Sequence, residues 1–319
     1  MVQSLVLHPV LLIGGSGFIG RALAARLCRV GYPVTIPTRD RERAREHLLT
    51  LPRVELIEAD VHDPLVLKRL VREARVVVNL VGLLQGSQRQ FELAHVELTR
   101  HIIAACQANG GRRYLHMSAL GADPAGASMY QRSKGAAEAL VRQSELDWTI
   151  FRPSVVFGEE DRFLNLFAEL QKLAPLLPLA GAHARFQPVW VQDVVRVFET
   201  ALHRRDWIGQ SFDLAGPKVY TLAELVRYAG RLSGNARPVL PLPDWAARLQ
   251  AAAMSLLPNP PLSRDNLDSM RVDNVTDQPF PDIPGFKPTA LEAVAPGWMA
   301  HAARGSKYAH FRSKAGRKP

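Results

Sequence analysis

Apolar residues in the first half of the chain follow two alternating patterns. Short apolar runs occur at Val10–Ile13, Pro33–Pro37, Val54–Ala59, Val76–Val81, Arg113–Met117 and Trp148–Arg152. Their length and β-branched content predict buried strands. The segments between them have helical spacing. Phe18–Val30 places Ile19, Leu23 and Leu27 on one face, and Arg41–Leu51, Pro64–Ala74, Phe91–Asn109 and Ser128–Gln143 read as further helices. Six strands alternating with helices predict an α/β fold, a doubly wound parallel sheet covered on both faces.

The alternation loosens after Pro153. Prolines at 175, 178, 188, 217, 238, 241 and 243 predict a smaller lobe of helices joined by proline-punctuated loops. Its clearest helix is Asp244–Leu257, with Trp245, Leu249, Ala253 and Leu256 on one stripe. The expected organisation is a nucleotide-binding domain over 1–153 with a return segment at 187–215. A small C-terminal lobe over 154–186 and 216–300 completes the fold, followed by a basic, disordered tail over 301–319.

A glycine turn changes this from a fold to a candidate site. Gly14, Gly17 and Gly20 stand between the first strand and the first helix, in the run Gly14-Gly15-Ser16-Gly17-Phe18-Ile19-Gly20. A backbone that turns sharply and approaches a pyrophosphate has no room for side chains, and the helix start offers free N–H groups to the phosphates. The expectation is a Rossmann-type dinucleotide site that includes Ser16, Phe18 and Ile19. After the second strand, Arg39 suits a 2′-phosphate and Asp40 suits a ribose hydroxyl. The reading favours NADP(H), with NAD(H) as the alternative. Asp60 and Val61 end the third strand on the expected adenine side, where Asp60 could instead serve the next helix. Val81 and Gly82 end the fourth.

Tyr130 and Lys134 lie one helical turn apart, twelve residues beyond Ser118 at the end of the fifth strand. A lysine ammonium on the same helix face favours the phenolate and is expected to lower the Tyr130 pKa. Tyr130 then reads as general acid/base, Lys134 as its activator and ribose ligand, and Ser118 as donor to the substrate oxygen.

Together these residues resemble the short-chain dehydrogenase/reductase superfamily in its extended, atypical branch, which includes NAD-dependent epimerases and dehydratases. Phe151–Asn165, Gln187–Val194, Phe212–Pro217 and Leu262–Asn266 are similar to the nucleotide-binding accessory subunit family of respiratory complex I. The resemblance implies a tightly held NADP(H), with Pro153 lining its nicotinamide side. It also implies relatives in which the nucleotide is structural and others linked to quinone biosynthesis.

Charge and cysteine usage narrow the setting. Six of the ten net positive charges fall between Arg304 and Lys318, so the body is only mildly basic and nucleic acid is not an expected partner. Cys28 and Cys106 have neither metal-ligand nor disulfide spacing, and no metal site is expected. Met1 lies nine residues before the first strand, which leaves no room for a targeting segment. A cytoplasmic protein with peripheral contact to the inner face of the cell membrane is expected. Three functions fit: an oxidoreductase on a carbonyl, sugar-nucleotide or quinone-like substrate, a non-catalytic accessory or assembly protein of a respiratory complex, and an NADP(H) redox sensor.

Overall fold

A computed structural model of the chain describes residues 7–254 and 262–300. Two compact units emerge. The first comprises Met1–Pro153, Val191–Leu214 and Gln278–Lys287; the second comprises Ser154–Trp190, Ala215–Asp277 and Pro288–Pro319.

The first unit begins with β1 (Val10–Ile13), α1 (Phe18–Val30), β2 (Val34–Thr38), α2 (Arg41–Leu48), β3 (Val54–Glu58), α3 (Pro64–Arg72) and β4 (Val76–Asn79). It continues with α4 (Gln88–Phe91), a π-helical turn (Glu92–Glu97), α5 (Leu98–Ala108), β5 (Arg113–Met117), α6 (Met129–Gln143) and β6 (Asp147–Pro153). α7 (Val191–Ala201) and β7 (Gln210–Leu214) complete it. The sheet order is β7-β6-β5-β4-β1-β2-β3, with every pairing parallel. The fold is therefore a doubly wound Rossmann-type sheet. The strand order reverses between β1 and β4, and the carboxyl ends of strands at such a switch point form the crevice where this architecture binds ligands.

Local chemistry sets the boundaries. β1 and β4 are buried along their whole length, consistent with a parallel sheet covered on both faces. α1 packs on α7, α3 on α5, and α5 on α6. Asp63 accepts from the Leu65 and Val66 amides and Pro64 opens α3, a favoured N-terminal arrangement. Ser128 and Gln131 form a reciprocal capping box on α6. Gly31 ends α1 in the left-handed region at φ 101°.

Two features differ from the sequence reading. The expected single helix from Phe91 to Asn109 is interrupted by the π-helical turn, which directs His95 into the interior. The sheet also gains β7 as a seventh strand, paired with β6 along five residues. Phe151 of β6 is fully buried against Phe198, Trp207 and Phe212, so aromatic packing holds this edge.

The second unit contains helices Leu164–Leu173, Leu222–Leu232, Asp244–Met254 and Arg264–Ser269, with a further helix over residues 291–300. It also has three two-stranded ladders that its loop-rich sequence did not suggest: Val156–Phe157 with Val189–Trp190, Arg185–Phe186 with Tyr220–Thr221, and Leu177–Leu179 with Val239–Pro241. Phe157, Leu164, Leu225, Val226, Ala229 and Ala295 centre its core. Asp161 is buried and accepts from the amides of Gly158, Phe163, Leu164 and Asn165. One carboxylate thus folds the Gly158–Asn165 segment. The expected Leu256–Leu257 end of the Asp244 helix and the basic tail over 301–319 lie outside the described residues.

Candidate functional site

The glycine turn joins the end of β1 to α1, and its three spaced glycines have different neighbours. Gly14 sits at φ +82°, and a Cβ there would lie 3.0 Å from both the Leu80 carbonyl carbon and the Val81 nitrogen. At Gly20 a Cβ would meet the Gly14 oxygen at 2.4 Å and the Gly15 Cα at 2.6 Å. Both positions are closed by backbone, which cannot rotate aside. At Gly17, by contrast, a Cβ would meet only the Gly14 oxygen, at 3.3 Å, and the residue is exposed. Gly14 and Gly20 therefore let the turn fold, whereas Gly17 leaves a bare face beside the start of α1. No side chain caps that helix and its first turn has no acid. Its free N–H groups and positive dipole end suit an anion. Phe18 and Ile19 are half-buried, and the Ser16 carbonyl accepts from Arg21 Nη1 at 3.2 Å.

The strands on either side end in the other candidate residues. Arg39 is exposed beyond β2 and makes no ion pair or hydrogen bond among the described residues. Asp40 is engaged: its carboxylate accepts from the Arg43 amide at 3.0 Å and caps α2. Asp60 is exposed beyond β3 and accepts from the His62 amide at 3.0 Å, leaving the capping of α3 to Asp63. Val61 packs partly against the core. Beyond β4, Asn79 Oδ1 accepts from the Val81 amide at 3.1 Å, and Gly82 is exposed. Pro153 is buried at the end of β6, where its carbonyl accepts from the Leu120 amide at 2.9 Å.

Lys134 brings several of these groups together. It is 3% exposed, and its Nζ donates to the Val81 carbonyl at 3.2 Å and the Met117 carbonyl at 3.1 Å. An ammonium has three donors, so one is left over. A Cβ at Gly82 would lie 3.7 Å from this Nζ, on a contact-free approach. Burial lowers the lysine to about 8, against the opposing pull of Glu138. Ser118, one residue beyond Met117, is also buried; its amide donates to the Phe151 carbonyl at 2.7 Å, and its Oγ has no partner among the described residues.

Tyr130 departs from the sequence expectation. Its pKa is not lowered by Lys134 but pushed up to about 12 by burial. The carbonyls hold the ammonium toward the strand ends, and desolvation of the phenolate prevails. The Tyr130 ring packs edge-on against His95, at 5.8 Å between centroids, and against Phe91 at 6.2 Å. At neutral pH the residue is a phenol, hence a proton donor.

Behind these residues lies a buried polar chain that sequence reasoning missed. The Leu83 amide donates to His95 Nε2 at 3.0 Å, and His95 Nδ1 meets Ser133 Oγ at 2.8 Å. Ser133 Oγ donates to the Tyr130 carbonyl at 2.9 Å. This sequence of bonds ties the loop after β4 to the first turn of α6. Asn79 Nδ2 donates to the Tyr114 hydroxyl at 3.3 Å, and that hydroxyl lies 3.0 Å from His116 Nδ1. Burial, then the Lys134 charge, lowers His116 to about 3, so it is neutral. Its Nε2 is buried without a partner among the described residues. The period-two spacing of Tyr114, His116 and Ser118, which places all three on one face of β5, was the available signal. Glu138, one turn beyond Lys134, accepts from Arg152 through both of its oxygens and fastens α6 to β6.

A family model described as NAD(P)H-binding matches residues 14–166. The mitochondrial NADH dehydrogenase (ubiquinone) 1 alpha subcomplex subunit 9 of Rattus norvegicus is 34% identical over 292 residues, covering 88% of this chain and 76% of that protein. The chain belongs to the family of this complex I subunit.

Within that subunit 9 family it carries an NAD(P)H-binding domain. A further relative, the ceramide reductase of Caulobacter vibrioides, is 28% identical over 74% of each chain. The fold is also that of the epimerase Mth375 from Methanothermobacter thermautotrophicus, with TM-score 0.66, 20% identity and coverage of 74% of this chain and 80% of that one. No helix among the described residues is long and apolar enough to cross a membrane.

The unequal surroundings of Gly17 and Gly20 give a paired prediction. Gly17→Ala is expected to keep the melting temperature of the nucleotide-free protein nearly unchanged and to weaken NADPH binding tenfold or more. Gly20→Ala is expected to lower that melting temperature by several degrees, since forced overpacking costs about 1–3 kcal/mol. Calorimetric melting and NADPH titration of both variants check the contrast.

Lys134 gives a pH prediction. Its protonated form donates to a ligand oxygen, so the contribution is present below about 8 and lost as pH rises through that value. NADPH affinity of the parent protein should fall across this range. Lys134→Met should bind more weakly at neutral pH and show a flat profile there, as read by fluorescence titration.

Proposed function

We propose that the chain is an NADP(H)-dependent reductase of the short-chain type, acting on a carbonyl or quinone-like substrate. The observation that carries this reading is the pair of buried donors at the switch point, Ser118 Oγ and the third Lys134 hydrogen, both without a partner among the described residues. Buried donors are costly unless a ligand oxygen completes them. The bare face at Gly17 and the uncapped start of α1 fit a pyrophosphate, so the residues present suit a dinucleotide.

A bound NADPH supplies hydride. In this reading, Ser118 donates a hydrogen bond to the substrate oxygen and orients it. Tyr130, a phenol at neutral pH, gives its proton to that oxygen as it becomes an alkoxide, a base strong enough to take a proton from a buried phenol. Lys134 grips a ribose hydroxyl with its free donor while its other two remain on the Val81 and Met117 carbonyls. Arg39, free at the end of β2, pairs with a 2′-phosphate, whereas Asp40 is already committed to α2. The name of the Caulobacter relative, a ceramide reductase, supports a reductive role in this branch.

A non-catalytic accessory role is the second reading, favoured by the mitochondrial relatives, which are named as subunits of a respiratory enzyme. Turnover separates the two. In a screen of long-chain ketones, ceramide precursors and quinones with NADPH, at least one substrate should turn over. Tyr130→Phe should then slow it by roughly 10²–10⁴-fold with cofactor binding intact. Absence of turnover, or equal rates in the variant, leaves the accessory role standing.

Cofactor choice is tested separately. A charged hydrogen bond contributes about 1.5–3 kcal/mol, so Arg39→Ala should weaken NADPH by about tenfold or more and leave NADH nearly unchanged. An equal loss for both nucleotides would sink the NADP(H) preference.

A further inference from the structure

The helix Asp244–Met254 is packed contrary to its composition. Its buried residues are Ala247 and Ala251, while Trp245 is 71% exposed and Leu249 is 66% exposed. The stripe that carries Trp245 and Leu249 turns outward, and the helix is packed through its small residues. Gln250 Nε2 donates to the Pro178 carbonyl at 3.1 Å and anchors it there. Pro178 lies in the ladder opposite Leu240, which is 50% exposed. Leu173 and Leu176, immediately before that ladder, are exposed as well. Trp245 and Leu249 share the outward side of the helix, and Leu240, Leu173 and Leu176 are exposed on segments of the same unit that adjoin it in sequence or ladder.

Charge accompanies this face. Arg248 is exposed between Trp245 and Leu249 and makes no ion pair or hydrogen bond among the described residues. Lys172 precedes Leu173, and Arg237 stands three residues before Leu240. The nearby acids are Asp244 and Glu169, the latter paired with Lys172. The sequence from Leu249 to Ser263 has no charged residue and is bounded by Arg248 and Arg264. The whole chain is +10. An exposed tryptophan, large aliphatic side chains and unpaired arginine on one surface match the chemistry of a membrane interface, where indole sits at headgroup level and cations meet anionic lipid. Charge on the face is close to balance, so the choice of an anionic bilayer rests on the unpaired Arg248 beside the exposed Trp245 and on the uncharged run from Leu249 to Ser263 bounded by Arg248 and Arg264.

We infer that this face, centred on Trp245 and Leu249, docks the chain onto an anionic lipid bilayer. The contact is peripheral: the side chains enter the headgroup region and the helix lies along it. It brings the protein to apolar substrates dissolved in the membrane, although the docking itself requires neither nucleotide nor turnover.

The test is flotation of the full chain with vesicles of phosphatidylcholine and phosphatidylglycerol in equal parts, against vesicles of phosphatidylcholine alone. The parent should float with the anionic vesicles and dissociate as salt is raised. Trp245→Ser with Leu249→Ser should reduce the bound fraction by about tenfold or more, since each buried side chain contributes roughly 1.5–3 kcal/mol. Arg248→Glu should weaken binding to anionic vesicles only. Both variants leave the first unit untouched, so an unchanged circular dichroism spectrum and NADPH titration verify folding. Three outcomes overturn the proposal: a parent that does not float, a Trp245/Leu249 variant that floats as well as the parent, or a parent dimer in sedimentation that this variant abolishes. The second outcome would assign any binding to the basic residues after Arg304, and the third would make the face a contact between copies.

Discussion

The architecture around the crevice depends on one buried ammonium. Moving a lysine out of water costs several kcal/mol, and charged hydrogen bonds of about 1.5–3 kcal/mol each offset much of that. Lys134 finds two such acceptors in the carbonyls of Val81 and Met117, at the ends of adjacent strands. The bond to Val81 fixes the loop after β4, which the glycine turn touches through Gly14. The bond to Met117 fixes the residue before Ser118. A single side chain from α6 thereby gathers the ends of two strands, and the Glu138–Arg152 pair one turn further on holds the same helix to a third.

This arrangement separates two roles that a Tyr-x-x-x-Lys pattern merges. In sequence the pair suggests a lysine that makes its tyrosine acidic. In the structure the lysine serves the backbone, and the tyrosine is governed by desolvation among Phe91 and His95. Burial keeps it a phenol at neutral pH and makes it a weaker acid than an exposed tyrosine.

Much of the fold was legible because a parallel sheet writes itself as solid apolar runs, and β1 and β4 lie where those runs stand. The glycine turn was legible because close backbone approach leaves no alternative residue. β7 was not: Gln210-Ser211-Phe212-Asp213-Leu214 is an edge strand with polar alternate positions, and its pairing partner is more than fifty residues away. The buried polar chain was hidden for a related reason. His95 is turned inward by the π-helical turn, which the sequence does not announce, whereas His116 shares a period-two face of β5 with Tyr114. The Asp244 helix stands where its apolar stripe placed it, and its burial is decided by alanines, whose small size allows closer packing than the bulky face. Asp40 and Asp60 were ambiguous in sequence since an acid after a strand can cap the next helix or meet a ligand; Asp40 caps, and Asp60 holds its own turn.

The π-helical turn Glu92–Glu97 has an implication for how this crevice is related to those of plainer helices. A π turn holds one residue more than an α turn, so it behaves as a one-residue insertion absorbed without breaking the helix. Everything before it, including Phe91 and the loop from Gly82, is rotated by about a third of a revolution relative to α5. Two chains that share this sheet but differ by that single residue would present different side chains to Tyr130. Alignments that place the gap elsewhere would pair His95 with the wrong position. Substrate preference in this branch can therefore diverge through one codon gained or lost in a helix, with the sheet, the glycine turn and the lysine clamp left intact.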